Sequence, residues 1–126
     1  MKPAIEPRPV TPEEVTILRW LLDNAGVGDV ASYRSRNLDE LQVVGACDCG
    51  CVSAFFESDP SVRLEMIADA MAVYPDGEQS NLILWGRAGR IAWLEVCDVG
   101  PSSAHRMPTT ANLRRWEDLY EPHTGA

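Results

Sequence analysis

Apolar residues recur at helical spacing early in the chain. In residues 12–25 they stand three or four positions apart, which predicts an amphipathic helix with one face against a core. Thr11 is suited to cap this helix, Pro12 to fill its first position, and Glu14 to complete a capping box three residues after the cap. The apolar stripe consists of Val15, Leu18, Leu22 and Ala25.

After residue 38, apolar residues alternate with polar ones or form short continuous runs, which predicts β-strands. The two runs beside the turn at 86–89 are apolar on both faces, as expected in the middle of a sheet. Residues 64–73 are open to two interpretations, because their composition favours a helix but the turn at 75–78 favours a strand hairpin. We predict strands near 39–46, 51–57, 64–73, 81–86 and 90–97.

The ends of the chain lie outside this alternating region. Residues 1–11 are rich in proline and are predicted to form a mobile tail, while 28–37 form a connection with at most a short helical turn. Residues 111–120 are predicted to form a short helix. The length of 126 residues indicates one domain, 1–126. The predicted fold is α+β: an antiparallel sheet of about five strands with an N-terminal helix and a short C-terminal helix.

The chain is strongly acidic, with a net charge of −8 and an isoelectric point near 4.6. Such a field repels nucleic-acid phosphates and anionic lipids, so neither nucleic acid nor a membrane is a predicted partner, whereas a basic protein is attracted. The N-terminus has no apolar leader and the apolar runs are too short to cross a membrane, which predicts a cytoplasmic protein. The oligomeric state is left open.

Two short motifs resemble those of a small family of uncharacterised bacterial proteins. The first is the Gly-Ala-Cys-Asp-Cys-Gly-Cys run at 45–51, and the second is the Leu-Glu-Val run at 94–96. The resemblance covers roughly residues 38–108 and implies no established activity, so it implies no catalytic residue. In size and acidity the chain is also similar to small α+β immunity proteins, which neutralise bacterial toxins.

Cysteines are the most unusual chemical feature of the sequence. Cys47, Cys49 and Cys51 stand in a C-x-C-x-C spacing, and Cys97 would complete a set of four thiolates of the kind that structural zinc sites use. Zinc sites favour pairs separated by two to four residues, so this spacing requires a sharp turn at Gly50. Buried packing thiols are therefore the preferred interpretation, and a zinc site is the alternative.

Carboxylates and tryptophans of the predicted strands are the remaining candidates. Glu95 lies in an otherwise apolar strand, where a carboxylate needs a partner, and Arg63 or Arg87 is expected to supply it. Neighbouring strands would bring together Glu65, Asp69, Glu95 and Asp98. The residues predicted to form an ion pair or an interface are Glu65, Glu95, Trp85 and Trp93.

The sequence favours a protein without catalytic activity, because no nucleophile, base and orienting group stand at a diagnostic spacing. The predicted function is a non-enzymatic acidic protein-binding domain, of which an immunity protein is one example. The first alternative is a small zinc-binding domain that uses the four cysteines. A hydrolase without a recognisable motif is a third.

Overall fold

The computed structural model describes residues 4–46, 52–57, 63–98 and 106–119. They form an antiparallel sheet with helices, which confirms the α+β class, but the sheet has seven strands where the sequence predicted about five. The order across the sheet is β1-β2-β3-β6-β5-β4-β7. The strands are β1 (Ala4–Pro9), β2 (Gln42–Ala46), β3 (Ala54–Phe55), β4 (Glu65–Val73), β5 (Gln79–Arg87), β6 (Arg90–Asp98) and β7 (Leu113–Arg115).

The first helix, α1 (Pro12–Asn24), forms where its cap and apolar stripe predict it. The side chain of Thr11 accepts a hydrogen bond from the backbone N–H of Glu14, and the Glu14 carboxylate accepts one from the backbone N–H of Thr11. These two bonds confirm the predicted capping box.

Helix α1 packs on one face of the sheet, against β4. Three alternate residues of that strand, Ala68, Ala70 and Ala72, belong to the same core as the helix and are fully buried. Because alanine side chains are small, the large residues of the helix can fill the space above them. These helix residues are Ile17, Leu18, Leu21 and Leu22.

Strands β5 and β6 form the hairpin that the alternating pattern predicts, and they lie near the centre of the sheet. Their turn places Ala88 at φ 52° and Gly89 at φ 79°. Two successive positive φ values are typical of the tight turns that match the twist of paired strands. The hairpin is therefore built from local sequence signals.

Strand β4 confirms the strand interpretation of residues 64–73 but contains a β-bulge. Met66 pairs with Trp85, and Ala68 pairs with the next residue of β5, so Ile67 is an extra residue on the β4 side. The bulge turns Ile67 into the core beneath α1, where it is 2% exposed.

The structure corrects the prediction of a mobile tail over 1–11, because residues 4–9 form β1 at the edge of the sheet. Prolines are tolerated in an edge strand, where one side of the backbone has no neighbour to bond. Arg8 fixes this strand to α1, since its guanidinium donates two hydrogen bonds of 2.9 Å to the carboxylate of Glu14.

The predicted helix over 111–120 is only partly present. A 3-10 turn at Thr110–Asn112 and strand β7 come first, and the short helix α3 (Trp116–Leu119) follows. Leu113 is buried in the core and pairs with Ala72 of β4. The segment predicted as one continuous helix therefore contains a junction between a strand and a helix.

Two short helical segments connect α1 to β2: α2 (Ala31–Arg34) and a 3-10 turn at Leu38–Glu40. The first confirms the predicted helical turn within 28–37. In the part of the chain that the structure describes, no helix is both long and apolar enough to cross a membrane.

Strand β3 has only two residues, yet it joins β2 to β6. Next to it, the side-chain oxygen of Ser53 accepts a hydrogen bond of 2.9 Å from the backbone N–H of Val96. On the other side, the backbone N–H of Phe56 donates to the carbonyl of Ala92 at 2.8 Å. This short link holds the first three strands to the other four.

Candidate functional site

The two faces of the sheet differ in how far they are covered. Residues of the central strands that point toward α1, such as Leu84 and Leu94, are fully buried. Most of those on the other side remain partly exposed, although several are large and apolar. We call this side the open face; its residues include Phe55, Met66, Asp69, Met71, Asn81, Ile83, Trp85, Trp93 and Glu95.

An aromatic row crosses three neighbouring strands of the open face. It consists of Phe55, Trp93 and Trp85, which pair in register from β3 through β6 to β5. The ring centroids of Phe55 and Trp93 are 5.1 Å apart, and those of Trp93 and Trp85 are 6.0 Å apart, with interplanar angles of 17° and 18°. Met66 continues the row on β4 and is 38% exposed. Such stacking holds large rings in fixed positions at a surface.

An acidic row lies beside the aromatic row. It consists of Asp69, Ile83 and Glu95, because Ile83 of β5 pairs with Asp69 on one side and with Glu95 on the other. The indole N–H of Trp85 donates a hydrogen bond of 2.9 Å to Glu95. That bond connects the two rows and fixes the orientation of one carboxylate.

The predicted convergence of four carboxylates is only partly seen. Asp69 and Glu95 share the open face, but Glu65 lies at the start of β4 and accepts a hydrogen bond of 2.5 Å from the hydroxyl of Tyr33. Burial and this hydrogen bond both raise the pKa of Tyr33. Asp98 pairs with Ser80 at the far end of the hairpin, so it does not join Glu65.

The prediction that Arg63 or Arg87 pairs with Glu95 is not confirmed, because the described residues show no ion pair between Glu95 and either arginine. Glu95 is bonded to Trp85 instead, and Arg87 donates to Glu57 at 2.8 Å. Glu57 also lies 3.3 Å from the guanidinium of Arg90, so it joins two arginines at the end of the hairpin. The reason is the register: Phe55 pairs with Trp93 and Arg87 pairs with Arg90, so the end of the hairpin lies near Glu57, two residues after β3.

A cavity of about 350 Å³ opens beside that cluster. Glu57 and Arg90 line it together with Arg36, whose guanidinium donates to the backbone carbonyl of Gly89 at 2.6 Å. These three charged groups are therefore engaged with one another or with the backbone.

Of the four cysteines predicted as zinc ligands, only Cys97 lies among the described residues. It is partly exposed near the end of β6 and pairs with Asn81. Cys47, Cys49 and Cys51 lie outside the described residues, so the zinc site stays a prediction. Within the described ranges, no group of three or more histidine, cysteine or acidic side chains is placed to hold a metal ion.

Sequence reasoning named Trp85, Trp93 and Glu95 individually but missed the rows they form. Asp69 carried the clearest signal, since a carboxylate interrupts the alternation of β4 at a position where an apolar residue is expected. Phe55 carried a weaker one, as a large aromatic residue on the less covered side of a short strand. Only the register of four strands brings these residues together.

Comparison with known proteins gives no family assignment. No protein-family model, curated protein or solved structure matches the chain. The resemblance to a bacterial family stays a prediction.

Proposed function

We propose that the chain is a non-enzymatic acidic protein-binding domain and that the open face is its binding surface. The observation that carries this proposal is that the aromatic row lies beside two carboxylates on a largely apolar sheet face. Large aromatic residues concentrate binding energy at protein interfaces, because they bury much area and lose little conformational freedom.

Charge indicates the kind of partner. The chain carries a net charge of −8, and Asp69 and Glu95 place part of that charge on the open face. A basic protein is attracted over a distance of about one Debye length, roughly 8 Å at physiological salt. A bacterial toxin neutralised by an immunity protein is one partner of this kind.

The test is site-specific photo-crosslinking in extract of the source cell. A photoreactive amino acid replaces Ile83 on the open face or, as a control, Asn24, which is exposed at the end of α1. We expect a basic protein to be captured from position 83 and not from position 24. Capture is expected to weaken at high salt, because screening removes the electrostatic attraction.

A result in which both positions capture the same proteins, or in which position 83 captures only acidic ones, contradicts the proposal. A variant with Trp85→Ala provides a second reading, since it removes the outer ring of the aromatic row. In this variant, capture of the partner at position 83 is expected to fall about ten-fold or more, as when an important aromatic residue of an interface is truncated.

A zinc-binding domain is the second candidate function, and the position of Cys97 favours it. Val96, the residue before Cys97, is hydrogen-bonded to Ser53, which stands two residues after Cys51 in the chain. Metal analysis of protein purified without chelator tests this candidate. About one zinc per chain, lost in a Cys97→Ser variant, would support it, and metal-free protein would remove it.

A further inference from the structure

The acidic row points to the chemistry of one contact with the partner. We infer that the acidic row receives the guanidinium of an arginine side chain that the partner protein presents above Ile83. This inference rests on the proposed function, because it names the group that the open face binds.

The geometry of the row suits such a group. Asp69 and Glu95 stand on the strands that flank Ile83, and neighbouring strands lie about 4.8 Å apart, so the two Cα atoms are roughly 10 Å apart. A guanidinium presents N–H donors on opposite edges of one plane and can meet both carboxylates at once. The half-buried Ile83 offers an apolar floor for the alkyl part of the same side chain.

The two carboxylates have acceptor capacity left. Within the described part of the chain, Asp69 takes part in no side-chain hydrogen bond or ion pair, and the one bond to Glu95 comes from Trp85. Asn81, two residues from Ile83 on the same strand, has a side-chain oxygen without a hydrogen-bond partner among those residues. That oxygen is buried, so the acceptors that the row offers to a partner are the oxygens of the two carboxylates.

The arginines of neighbouring elements are engaged elsewhere. Arg87 donates to Glu57 at 2.8 Å. Arg114, opposite Met71 on β7, donates to the backbone carbonyls of Ala111 and Leu113 at 2.8 Å. Among the described residues, neither arginine donates to Asp69 or Glu95, so both carboxylates are available to a cation of the partner.

Other occupants fit less well. A lysine ammonium is a compact point charge that can contact one carboxylate well but not two so far apart. A metal ion needs ligands a few ångströms from each other. A second copy of the chain would bring another acidic row against this one in a protein that already carries a charge of −8.

The probe is a displayed library of random twelve-residue peptides, panned against the full chain at low salt. We expect the recovered peptides to carry arginine. Replacing that arginine by citrulline, which keeps the shape and removes the charge, is expected to weaken binding about ten-fold or more. Replacement by lysine is expected to restore only part of the affinity.

The matching protein variant is Asp69→Asn combined with Glu95→Gln, in which the new amide oxygen at position 95 can still accept the indole N–H. We expect binding to the arginine peptides to fall about ten-fold or more. The control variant is Glu13→Gln combined with Asp39→Asn, which removes the same charge from exposed positions of α1 and the neighbouring 3-10 turn. It is expected to change binding less than about three-fold, since those carboxylates act only at a distance.

Crosslinking the peptides to residue 83 or residue 24 separates the two proposals. Peptides that crosslink at residue 83 but tolerate citrulline and the Asp69–Glu95 variant overturn the arginine contact and leave the proposed function standing. Peptides that crosslink only at residue 24, or a library that yields no binder to the open face, overturn both. Near-ultraviolet circular dichroism of each variant shows whether its aromatic row is intact.

Discussion

On the covered face of the sheet, Leu84 and Leu94 are 0% exposed beneath α1. On the open face, Ile83 and Trp93 belong to the same two strands and alternate with those leucines, yet remain partly exposed. The strands and their register are the same on both sides. The difference is that, among the described residues, helix α1 covers one face, whereas the other face carries stacked rings and two carboxylates.

Under the proposed function, this difference separates residues that serve stability from residues that would serve binding. A fully buried leucine contributes through the area it removes from water and the contacts it makes. A ring that is stacked but partly exposed keeps apolar area for a partner, and its neighbours hold it in place. Substitutions on the two faces test that separation, from the largest expected effect to the smallest.

Adjacent residues on opposite faces give the most direct test. Leu84→Ala is expected to lower the free energy of unfolding by about 2–5 kcal/mol, because it leaves a cavity in a packed core. Ile83→Ala is expected to cost about 1 kcal/mol, because that side chain is already partly exposed. Urea unfolding of both variants measures the difference. Equal losses would mean that the open face is as important for stability as the core.

The covered face is expected to reject even a methyl group at Gly86. A Cβ atom there would lie 2.6 Å from the ring of Tyr33, which is buried and bonded to Glu65. Gly86→Ala should therefore lower the free energy of unfolding by about 1–3 kcal/mol. In a Tyr33→Ala background the same substitution should cost much less. An unchanged cost there would show that the backbone, not the ring, resists the methyl group.

The contact between Arg8 and Glu14 at the start of α1 predicts that the stability of the protein depends on pH. Burial opposes the charged form of Glu14, but hydrogen bonds from Arg8 and Thr11 outweigh it and hold the pKa of Glu14 below its usual value. Glu14→Gln is therefore expected to cost about 1 kcal/mol at neutral pH. This stabilisation is present above the unfolded-state pKa, about 4.3, and is lost as pH falls through the lower folded-state pKa.

Urea unfolding at pH 7 and pH 3 measures this difference between wild type and the Glu14→Gln variant. Glu13→Gln is the control, since Glu13 is exposed on the same turn. If the two proteins differ in free energy of unfolding by as much at pH 3 as at pH 7, the stabilisation does not come from the ionised Arg8–Glu14 pair.

Removing one carboxylate from the acidic row should leave stability nearly unchanged. Asp69→Asn is expected to shift the free energy of unfolding by no more than about 0.5 kcal/mol, because the described residues offer Asp69 no side-chain partner. Thermal unfolding followed by circular dichroism measures it. A loss above about 1 kcal/mol would assign this carboxylate to the fold and weaken its assignment to binding.

Local signals made part of the fold predictable. The cap of α1 and the hairpin of β5 and β6 depend on residues close together in sequence, and both were predicted. Strand β1 was missed, because its prolines are compatible with an edge strand as well as with a mobile tail. Only its pairing with β2 distinguishes the two. The bulge at Ile67 has no local signal, so the face of each residue before it could not be read from alternation.

The candidate site was less predictable than the fold. Glu95 and Trp85 were chosen separately, and their hydrogen bond depends on positions ten residues apart in a paired hairpin. Placing Asp69 across Ile83 from Glu95 requires a third strand in the correct register. The sequence shows which residues are unusual, whereas long-range pairing decides which of them meet.

The two-residue strand β3 has a consequence for how the protein opens. Local unfolding proceeds most easily where few hydrogen bonds must break together. The link made by Ala54 and Phe55, between the first three strands and the other four, is a place of this kind. Phe55 is also one end of the aromatic row and stacks on Trp93 of β6, so under the proposed function a partner bound to the row would lie over this link. Binding would then stabilise this link against local unfolding and slow amide hydrogen exchange in the strands on both sides of β3.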